Sequence, residues 1–255
     1  MVVKINDTNK AEPLFCDWQE TLIWSCLQNI MGNIYADSFE KPLSAMAIIG
    51  DFCFFAGLPN EELVLFKPKE FIKDFIIMVP QNEKWAALIA SLYGDKAKMI
   101  TRYAIKKEHN AFDKEKLHNA SHSLAHEYSI KMIDEDIFNL CRSSDWSMDL
   151  VSQYKDYEMY KKLGIGVGVL KEGVVISGAS AYSRYQDGIE IEIDTKEEYR
   201  RRGLAYVCGA KLILECLERG LYPSWDAQNK WSVALAEKLG YNFDHEYLAY
   251  EIRGY

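Results

Sequence analysis

One short segment in the C-terminal half constrains the fold of this chain most. Residues 189–195, IEIEIDT, alternate isoleucine with acidic residues, and that period of two predicts a strand with one apolar and one acidic face. The tract RRRGLA follows at residues 200–205, and an apolar pattern of helical period continues as far as Gly220. The segment therefore predicts a strand, a turn containing a glycine, and a helix.

The junction between this strand and this helix has the chemistry of an anion-binding site. The first turn of a helix leaves backbone N–H groups unpaired and carries a partial positive charge, which favours phosphate. Gly203 and the small Ala205 allow the main chain to approach an anion closely, and arginines at 200–202 add cationic attraction. Neutralisation of the acidic residues at 197–198 explains the same arginines, so this tract alone leaves both interpretations open.

The surrounding C-terminal segments alternate between strand and helix patterns. Strands are predicted at 128–133, 165–170, 174–182, 222–227 and 241–252, and helices within 134–163 and from Lys230 to the stop at Gly240. The turn Lys171-Glu172-Gly173 joins two of these strands in a hairpin. We predict an α+β fold with a mixed central sheet flanked by helices.

The N-terminal half is a second α+β region without a constellation of residues that indicates chemistry. Strands are predicted at 45–56 and 75–79, and helices at 18–32 and 82–93, the latter capped by Asn82. Residues 106–127 are polar and charged, which is typical of a connection between domains. We predict an N-terminal domain over 1–117 and a second domain over 118–255.

Composition narrows the classes of partner. The 255 residues include 38 acidic and 30 basic side chains, a formal net charge of −8, which argues against a nucleic-acid partner and favours a small cationic substrate. No stretch approaches the roughly 20 apolar residues that span a bilayer, and the first residues lack a signal-peptide pattern. We expect a soluble, uncleaved cytoplasmic protein with no membrane partner.

Histidine spacing raises the question of a metal site. His118, His122 and His126 recur every four residues and would share one face of a helix, as two histidine ligands of a metal require. No neighbouring carboxylate or thiol completes a ligand set, and a polar connecting helix with histidines on its wet side explains the same letters. We therefore predict no metal.

Cysteine spacing indicates buried free thiols in a reducing compartment. The six cysteines contain no CxxC pair, and most lie among apolar neighbours: Cys16, Cys26, Cys53, Cys141, Cys208 and Cys216. None has a partner base nearby in the sequence, so the chain offers no evident thiol nucleophile.

Two motifs in the C-terminal half together resemble the GNAT superfamily of acyl-CoA-dependent N-acyltransferases. The family's pyrophosphate motif, [RQ]-x-x-G-x-[GA], matches residues 200–205, and its second motif, N-x-x-[AS] running to L-G-[FY], matches 229–232 and 239–241. Residues 189–252 look most like a bacterial subgroup that includes zwittermicin-resistance acetyltransferases. The resemblance covers about 128–255, with a vaguer similarity of 1–110 to the N-terminal halves of that subgroup.

The resemblance implies acetyl-CoA as the acyl donor. Backbone N–H groups of 200–205 would hold the pyrophosphate, and the strand ending at Thr195 would pair with the pantetheine arm. The strand at 222–227 would splay away from it and open a slot for the thioester, whose carbonyl a backbone N–H near Ile193 to Thr195 would polarise. The implied cofactor-binding residues are Ile193, Thr195, Arg200, Arg201, Arg202, Gly203, Leu204, Ala205 and Asn229.

The catalytic residues follow from the need to remove a proton from an ammonium group and to stabilise a leaving thiolate. Glu190 and Glu192 share the acidic strand face where many family members place their base, although that face also fits simple solvent exposure. Many members carry a tyrosine as general acid where this chain has Ala236. Ser232 matches a serine found in other members, although a serine one turn into a helix is just as often a cap or a surface residue. Tyr182, Tyr185 and Tyr241 are further candidates for the acid, and a thiolate near a helix N-terminus can also leave without a dedicated acid.

These observations predict an N-acetyltransferase that acts on a primary amine of a small cationic molecule by direct attack in a ternary complex. Trp225 and Asp226 are candidates for acceptor contact, although a tryptophan such as Trp225 is more often a core residue. Two alternatives remain: a catalytically silent CoA-binding or interaction protein, and a protein or peptide N-acetyltransferase. The sequence leaves the acceptor, the acyl chain length and the oligomeric state open.

Overall fold

The computed structural model describes residues 1–255, which divide into two compact units. The N-terminal unit contains Met1–Arg102 and Glu246–Tyr255, and the C-terminal unit contains Tyr103–His245. The predicted domain division between residues 117 and 118 stays a prediction, since compactness does not test the ancestry of the two parts.

The first 105 residues contain most elements of the N-terminal unit. In chain order they are β1 (Val3–Ile5), α1 (Glu12–Phe15), α2 (Thr21–Leu27), β2 (Asn33–Ala36), β3 (Ser44–Ile49), β4 (Phe52–Gly57), α3 (Glu61–Val64), β5 (Phe75–Pro80), α4 (Glu83–Tyr93) and β6 (Ala97–Ile105).

The remaining elements begin after β6. They are α5 (Lys114–Ser121), β7 (Ser129–Met132), α6 (Glu135–Arg142), α7 (Tyr157–Leu163), β8 (Gly166–Lys171), β9 (Val174–Tyr185), β10 (Gly188–Thr195), α8 (Leu204–Glu218), β11 (Tyr222–Ser224), β12 (Asp226–Ala227), α9 (Lys230–Leu239) and β13 (Phe243–Arg253). This mixture of helices and mixed sheets confirms the predicted α+β class.

The N-terminal unit is built on a sheet with strand order β1-β2-β3-β4-β5-β13. Strands β4 and β5 are parallel, from the pair Phe52 and Ile77 to the pair Phe55 and Pro80, and the other pairs are antiparallel. A buried aromatic core covers one face, where the rings of Phe55 and Trp85 stack 5.2 Å apart. The core gives this unit its stability through burial of apolar surface.

Two predictions in this unit need correction. The apolar run at 45–56 is two strands rather than one, because Gly50 takes a left-handed conformation (φ 56°) and reverses the chain between β3 and β4. The helix predicted over 18–32 is confined to α2. The helix predicted over 82–93 is confirmed, and the side chain of Asn82 accepts hydrogen bonds from the N–H groups of Lys84 and Trp85.

The C-terminal unit has a sheet with strand order β11-β10-β9-β8-β7, in which only β10 and β11 are parallel. Helix α8 packs against this sheet and against α9. At the contact, a Cβ added to Gly209 of α8 would lie 2.7 Å from Leu239 Cδ1 and 3.6 Å from Ile193 Cδ1. Gly209 therefore permits the close packing of α8 on the isoleucine face of β10.

The polar tract predicted as a connection is an ordered part of the C-terminal unit. The backbone N–H of Glu108 donates to the Tyr222 hydroxyl (2.9 Å), which donates to the Lys106 carbonyl (3.3 Å). The Phe112 ring meets Tyr241 edge-on at 4.9 Å. The hydrogen bonds of Tyr222 therefore attach β11 to the polar tract, which is not a strand of this sheet. None of the chain's helices combines the length and the apolar character needed to cross a membrane.

Candidate active site

A slot opens in the C-terminal sheet where β10 and β11 stop pairing. The parallel register runs only from Gly188 opposite Tyr222 to Glu190 opposite Ser224. Beyond Ser224, β10 keeps β9 as its only strand neighbour. The β9–β10 register also shifts between Glu190 and Ile191, which marks a bulge at the level where the slot begins.

The predicted strand at 222–227 is interrupted at this place. It forms β11 and β12 with Trp225 between them, and β12 pairs with β6 through Asp226 opposite Ala104. The second part thus follows another strand, which is why β11 leaves β10 after three residue pairs. The parting of the two strands is therefore built into the sheet.

The loop that follows β10 is tied to the end of the strand. Arg200 donates from Nε to the Thr195 carbonyl (3.0 Å), and its guanidinium lies 3.4 Å from an Asp194 carboxylate oxygen. The Thr195 hydroxyl lies 2.7 Å from the Ser177 hydroxyl. Arg202 donates to the Glu198 carbonyl (3.0 Å) and to the Tyr128 hydroxyl (3.3 Å). Arg200 and Arg202 therefore hold the loop in shape.

The start of α8 is open to an anion. Gly203, the residue before the helix, has φ 81°, and a Cβ built on it meets no atom within 4 Å. No side chain caps the helix, so its first-turn N–H groups lack the partners that a cap would supply. A 15-residue helix with an uncapped, glycine-led start fits a pyrophosphate well.

Several predicted cofactor-binding residues offer backbone rather than side-chain contacts. The side chain of Leu204 is buried, and Ile193 packs toward Gly209 of α8. Thr195 is also buried. The peptide groups of Ile193 and Leu204 are therefore the parts that a ligand in the slot would use. Those of Thr195 are already engaged, its N–H by the Asp194 carboxylate (2.6 Å) and its carbonyl by Arg200.

Arg201 differs from its two neighbours. All three arginines are exposed, but Arg201 takes a left-handed conformation (φ 62°) and forms none of the hydrogen bonds or ion pairs seen for Arg200 and Arg202. A non-glycine residue in this conformation stores roughly 1 kcal/mol of strain. The arrangement leaves the Arg201 guanidinium as the arginine available to a phosphate.

Replacing Arg201 by glycine is therefore expected to stabilise the fold and weaken coenzyme A binding. Relief of strain raises the melting temperature by a few degrees, whereas loss of one phosphate contact raises Kd about 3- to 10-fold and flattens its salt dependence. Thermal unfolding and calorimetric titration at two salt concentrations measure both effects. Glu172→Gly, which relieves a similar left-handed residue (φ 51°) in the β8–β9 turn, should stabilise without changing Kd. Equal Kd values for wild type and Arg201→Gly would contradict the assignment.

The two candidate bases occupy different environments. Glu190 is 7% exposed, whereas Glu192 is half-buried and lies in the part of β10 that β11 no longer accompanies. Burial, with a smaller contribution from the Glu190 charge, raises the pKa of the neighbouring phenols Tyr185, Tyr241 and Tyr222, the last to about 12. A carboxylate and neutral phenols therefore surround the inner end of the slot.

The three tyrosines considered as substitutes for the missing acid are all buried. Tyr241 donates its proton to the Pro223 carbonyl (2.6 Å), and the Tyr185 hydroxyl lies 3.0 Å from the Ser224 hydroxyl. Tyr182 is 6% exposed. Because the hydroxyls of Tyr241 and Tyr185 already form hydrogen bonds with protein groups, these two phenols are poor proton donors to a leaving group.

The second motif positions a serine through an unforeseen contact. Asn229 caps α9 by accepting the Ser232 N–H on Oδ1 (3.0 Å), and the Ser232 hydroxyl accepts a hydrogen bond from Trp225 Nε1 (3.0 Å). Trp225 is only 3% exposed and packs edge-on against Tyr241 at 5.6 Å. Enclosure of its ring by protein favours a core role for Trp225 over contact with the acceptor. Ala236, at the position of the family's tyrosine, is also fully buried.

The cysteines contain no activated nucleophile in the candidate site. Burial raises the pKa of Cys26, Cys208 and Cys216 to about 12, of Cys141 to about 11, and of Cys53 well above its usual value. Only Cys16 is exposed. The thiolate is the reactive form, so none of the buried cysteines is suited to nucleophilic attack.

A thiol count tests this burial. In the native protein we expect a disulfide reagent such as DTNB to react rapidly with one thiol, Cys16, and after denaturation with all six. Cys16→Ser should leave the native protein unreactive while preserving its melting temperature. Rapid reaction of two or more thiols in the native protein would show that the interior opens more readily than the buried positions imply.

The histidines predicted on one helix face do not lie near other side chains that could ligate a metal. The rings of His118 and His122 lie 4.3 Å apart, but His122 Nδ1 lies 2.8 Å from the His118 carbonyl oxygen. No group of three or more His, Cys, Asp and Glu side chains is arranged to hold a metal ion.

Comparisons with known proteins place the whole chain in one family. The model of the GNAT acetyltransferase family matches residues 12–250. A crystal structure of a GCN5-related N-acetyltransferase-like protein from Streptococcus suis is 46% identical, with a TM-score of 0.92 over 97% of this chain and 98% of that one. An uncharacterized N-acetyltransferase, YdfB, from Bacillus subtilis is 29% identical over 90% of this chain and 89% of its own.

A more distant match concerns the fold alone. A tandem GNAT protein from the clavulanic acid biosynthesis pathway superposes with a TM-score of 0.55 at 9% identity, covering 100% of this chain and 98% of that one.

The chain belongs to the GNAT acetyltransferase family. Its class of enzyme is that of acetyl-CoA-dependent N-acetyltransferases. The family match includes most of the N-terminal unit, so the resemblance extends further than the 128–255 expected from the motifs.

Proposed function

We propose that this protein transfers an acetyl group from acetyl-CoA to a primary amine of a small cationic molecule, by direct attack in a ternary complex. The observation that carries the proposal is the slot between β10 and β11. It has an uncapped helix start beyond one end and a buried carboxylate, Glu190, at the other. An acyl donor that carries a pyrophosphate would bind with that group at the helix start. A cationic acceptor would enter the slot from the opposite end, where Glu190 lies.

The donor is held mainly by backbone groups. Gly203 and the first-turn N–H groups of α8 receive the pyrophosphate, and Arg201 supplies a positive charge at its rim. Arg200 and Arg202 keep the loop in the conformation that presents these groups, through their bonds to Thr195 and Glu198. Acetyl-CoA supplies the activated acyl group as a thioester.

The acidic face of β10 removes the proton from the ammonium group of the acceptor. Glu190 accepts a proton from the incoming ammonium group, directly or through water, while Glu192 attracts the cation toward the slot. The freed amine then bonds to the carbonyl carbon, and the carbon–sulfur bond breaks with its electron pair going to sulfur. The nitrogen loses its second proton as the amide forms, and the departing thiolate takes up one proton to leave as coenzyme A. A backbone N–H near Ile193 stabilises the carbonyl oxygen during attack.

Ser232 stabilises the leaving sulfur. Its hydroxyl lies at the first turn of α9, and Trp225 holds its oxygen. Burial raises the pKa of Cys208 and Cys216 to about 12, which leaves these thiols unsuited to form an acyl-enzyme and favours direct attack.

The proposal predicts one acetyl-CoA per chain, because the N-terminal unit has no comparable slot. Its parallel strands β4 and β5 stay paired to Phe55 and Pro80, and the Gln81 side chain accepts the Gly57 N–H (3.0 Å) where β4 ends. The helix that follows has four residues, is capped by Asn60, and begins with two glutamates. An acidic, capped and short helix start repels phosphate.

Three finer points of the prediction remain proposals. The acidic β10 face favours a cationic small molecule over a neutral acceptor. A CoA-binding protein without activity would not need Glu190, whereas a peptide acetyltransferase would need it equally. The likeness to the zwittermicin-resistance subgroup and a cytoplasmic location rest on sequence pattern alone.

Calorimetric titration with acetyl-CoA and with CoA, followed by a thiol-release assay, tests the proposal. We expect a stoichiometry of one and release that depends on amines from a panel of polyamines, aminoglycosides and amino acids. Cys16→Ser lowers the background of the assay. Absence of binding would overturn the acyl-CoA site, and binding without release across cationic amines and test peptides would favour the silent alternative.

A further inference from the structure

The tryptophan between β11 and β12 occupies a distinctive place. Trp225 is the first residue after Ser224, the last β11 residue that pairs with β10. Its ring is 3% exposed and packs edge-on against Tyr241, which is itself held by the Pro223 carbonyl. The indole is thus fixed at the point where the strands part.

The hydrogen bond from this indole fixes the roles of both partners. An indole N–H is a donor and has no acceptor atom, so the Ser232 oxygen must accept at 3.0 Å. A serine near the start of a helix often donates back to a carbonyl of the preceding turn. Here the structure shows no protein acceptor for the Ser232 hydroxyl proton, and the hydroxyl is half-buried. The proton is therefore available to a ligand.

We propose that Trp225 is a positioning residue: its indole N–H holds the Ser232 oxygen so that the serine proton is directed at the coenzyme A sulfur. Donation by the indole polarises the hydroxyl and strengthens it as a donor. A hydrogen bond to the thiolate stabilises the charge that develops as the carbon–sulfur bond breaks. The sulfur keeps the bond's electron pair and finally takes a proton, which balances the one lost by the amine nitrogen.

This inference rests on the proposed function but is testable without an acceptor. The probe is coenzyme A itself, bound at saturating protein concentration, with its thiol ionisation followed by thiolate absorbance near 240 nm across pH. Desulfo-coenzyme A, which lacks the thiol, serves as the reference and cancels the absorbance of the protein's own cysteines and tyrosines.

We expect the effects of the Trp225 and Ser232 substitutions on the acidity of the bound thiol to be coupled rather than additive. Trp225→Phe and Ser232→Ala should each weaken the acidity of the bound thiol about tenfold, the effect of one hydrogen bond to a charged group. The double variant should lose no more than either single variant, because both remove the same interaction. Coenzyme A should bind all three variants within about twofold of wild type in Kd.

A matched control separates this effect from loss of a buried indole. Trp85 is fully buried in the N-terminal unit and donates its indole N–H to the Gly57 carbonyl (2.9 Å). Trp85→Phe should leave the acidity of the bound thiol unchanged even if it lowers the melting temperature. If Trp225→Phe fails to fold, Ser232→Ala still tests the hydrogen bond to sulfur.

Each remaining outcome has a definite meaning. Wild-type thiol acidity in Ser232→Ala overturns the inference, as does an effect of Trp225→Phe that adds to that of Ser232→Ala. Failure of coenzyme A to bind the wild-type protein overturns the proposed function instead, so the two failures are distinguishable.

Discussion

Replacement of Glu190 by glutamine is expected to lower kcat by about 10²- to 10⁴-fold, the usual contribution of a general base. The glutamine amide keeps the size of the side chain but cannot accept the ammonium proton. Kd for coenzyme A should stay within about twofold, since Glu190 lies at the end of the slot away from Gly203. Steady-state kinetics with an amine from the thiol-release panel, together with calorimetry, measure this split.

The dependence of kcat/KM on pH is an independent test of Glu190 as the base. In the wild type, kcat/KM should fall as pH decreases, because protonation removes both the attacking amine and its base. Glu190→Gln should be slower than wild type and should keep only the fall that protonation of the acceptor amine itself causes. Glu192→Gln should keep the limb and mainly raise the KM of the cationic acceptor, because Glu192 contributes attraction.

A partly buried acid elsewhere in the C-terminal unit provides the control. Glu215 on α8 is 16% exposed at its side chain and pairs with Lys211 (2.8 Å) and Arg219 (3.5 Å). Glu215→Gln should cost a small amount of stability and leave kcat unchanged. If Glu190→Gln keeps kcat within about threefold of wild type while Glu192→Gln abolishes turnover, the base is Glu192 and the assignment made here is incorrect.

Replacement of Gly203 by alanine is expected to weaken coenzyme A binding by roughly 10- to 150-fold, which corresponds to about 1.5–3 kcal/mol. The added methyl group enters the open space before α8 and keeps the pyrophosphate from the backbone N–H groups. Its left-handed conformation (φ 81°) also makes any side chain costly by about 1 kcal/mol. Calorimetric titration and thermal unfolding separate the loss of affinity from the loss of stability.

Gly220 is a close match for Gly203 in backbone conformation. It is exposed, has φ 69°, follows α8 in the same unit, and a Cβ on it also meets no atom within 4 Å. Gly220→Ala should therefore lower stability by a similar amount without changing Kd. Equal losses of affinity in both variants would attribute the effect to general destabilisation and remove Gly203 from the binding site.

Local patterns in the sequence were sufficient for the elements that carry the site. The period-two alternation at 189–195 became β10, and the apolar period after Gly203 became α8, because the residues of each pattern lie next to one another in the chain. The Asn229 cap of α9 is equally local, since the side chain reaches an N–H three residues away.

The sequence did not reveal which charged residues are engaged by the protein. Arg200, Arg201 and Arg202 are consecutive, chemically identical and all exposed, yet the loop geometry gives hydrogen bonds to the loop backbone to the first and third and not to the second. The strands at 45–56 were merged because residues on both sides of Gly50 are apolar. A turn inside an apolar run depends on backbone conformation at one residue, which composition does not encode strongly.

The sequence by itself determined that a strand with an acidic face leads through a glycine into an apolar helix, and that a further helix ending at Gly240 follows. Those features depend on residues within one or two turns of each other. Only the tertiary structure decided that Glu190 is buried, that β11 leaves β10 after Ser224, and that Trp225 holds Ser232. These properties arise from packing between elements distant in the chain, where burial and pairing energies, rather than local periodicity, set the outcome.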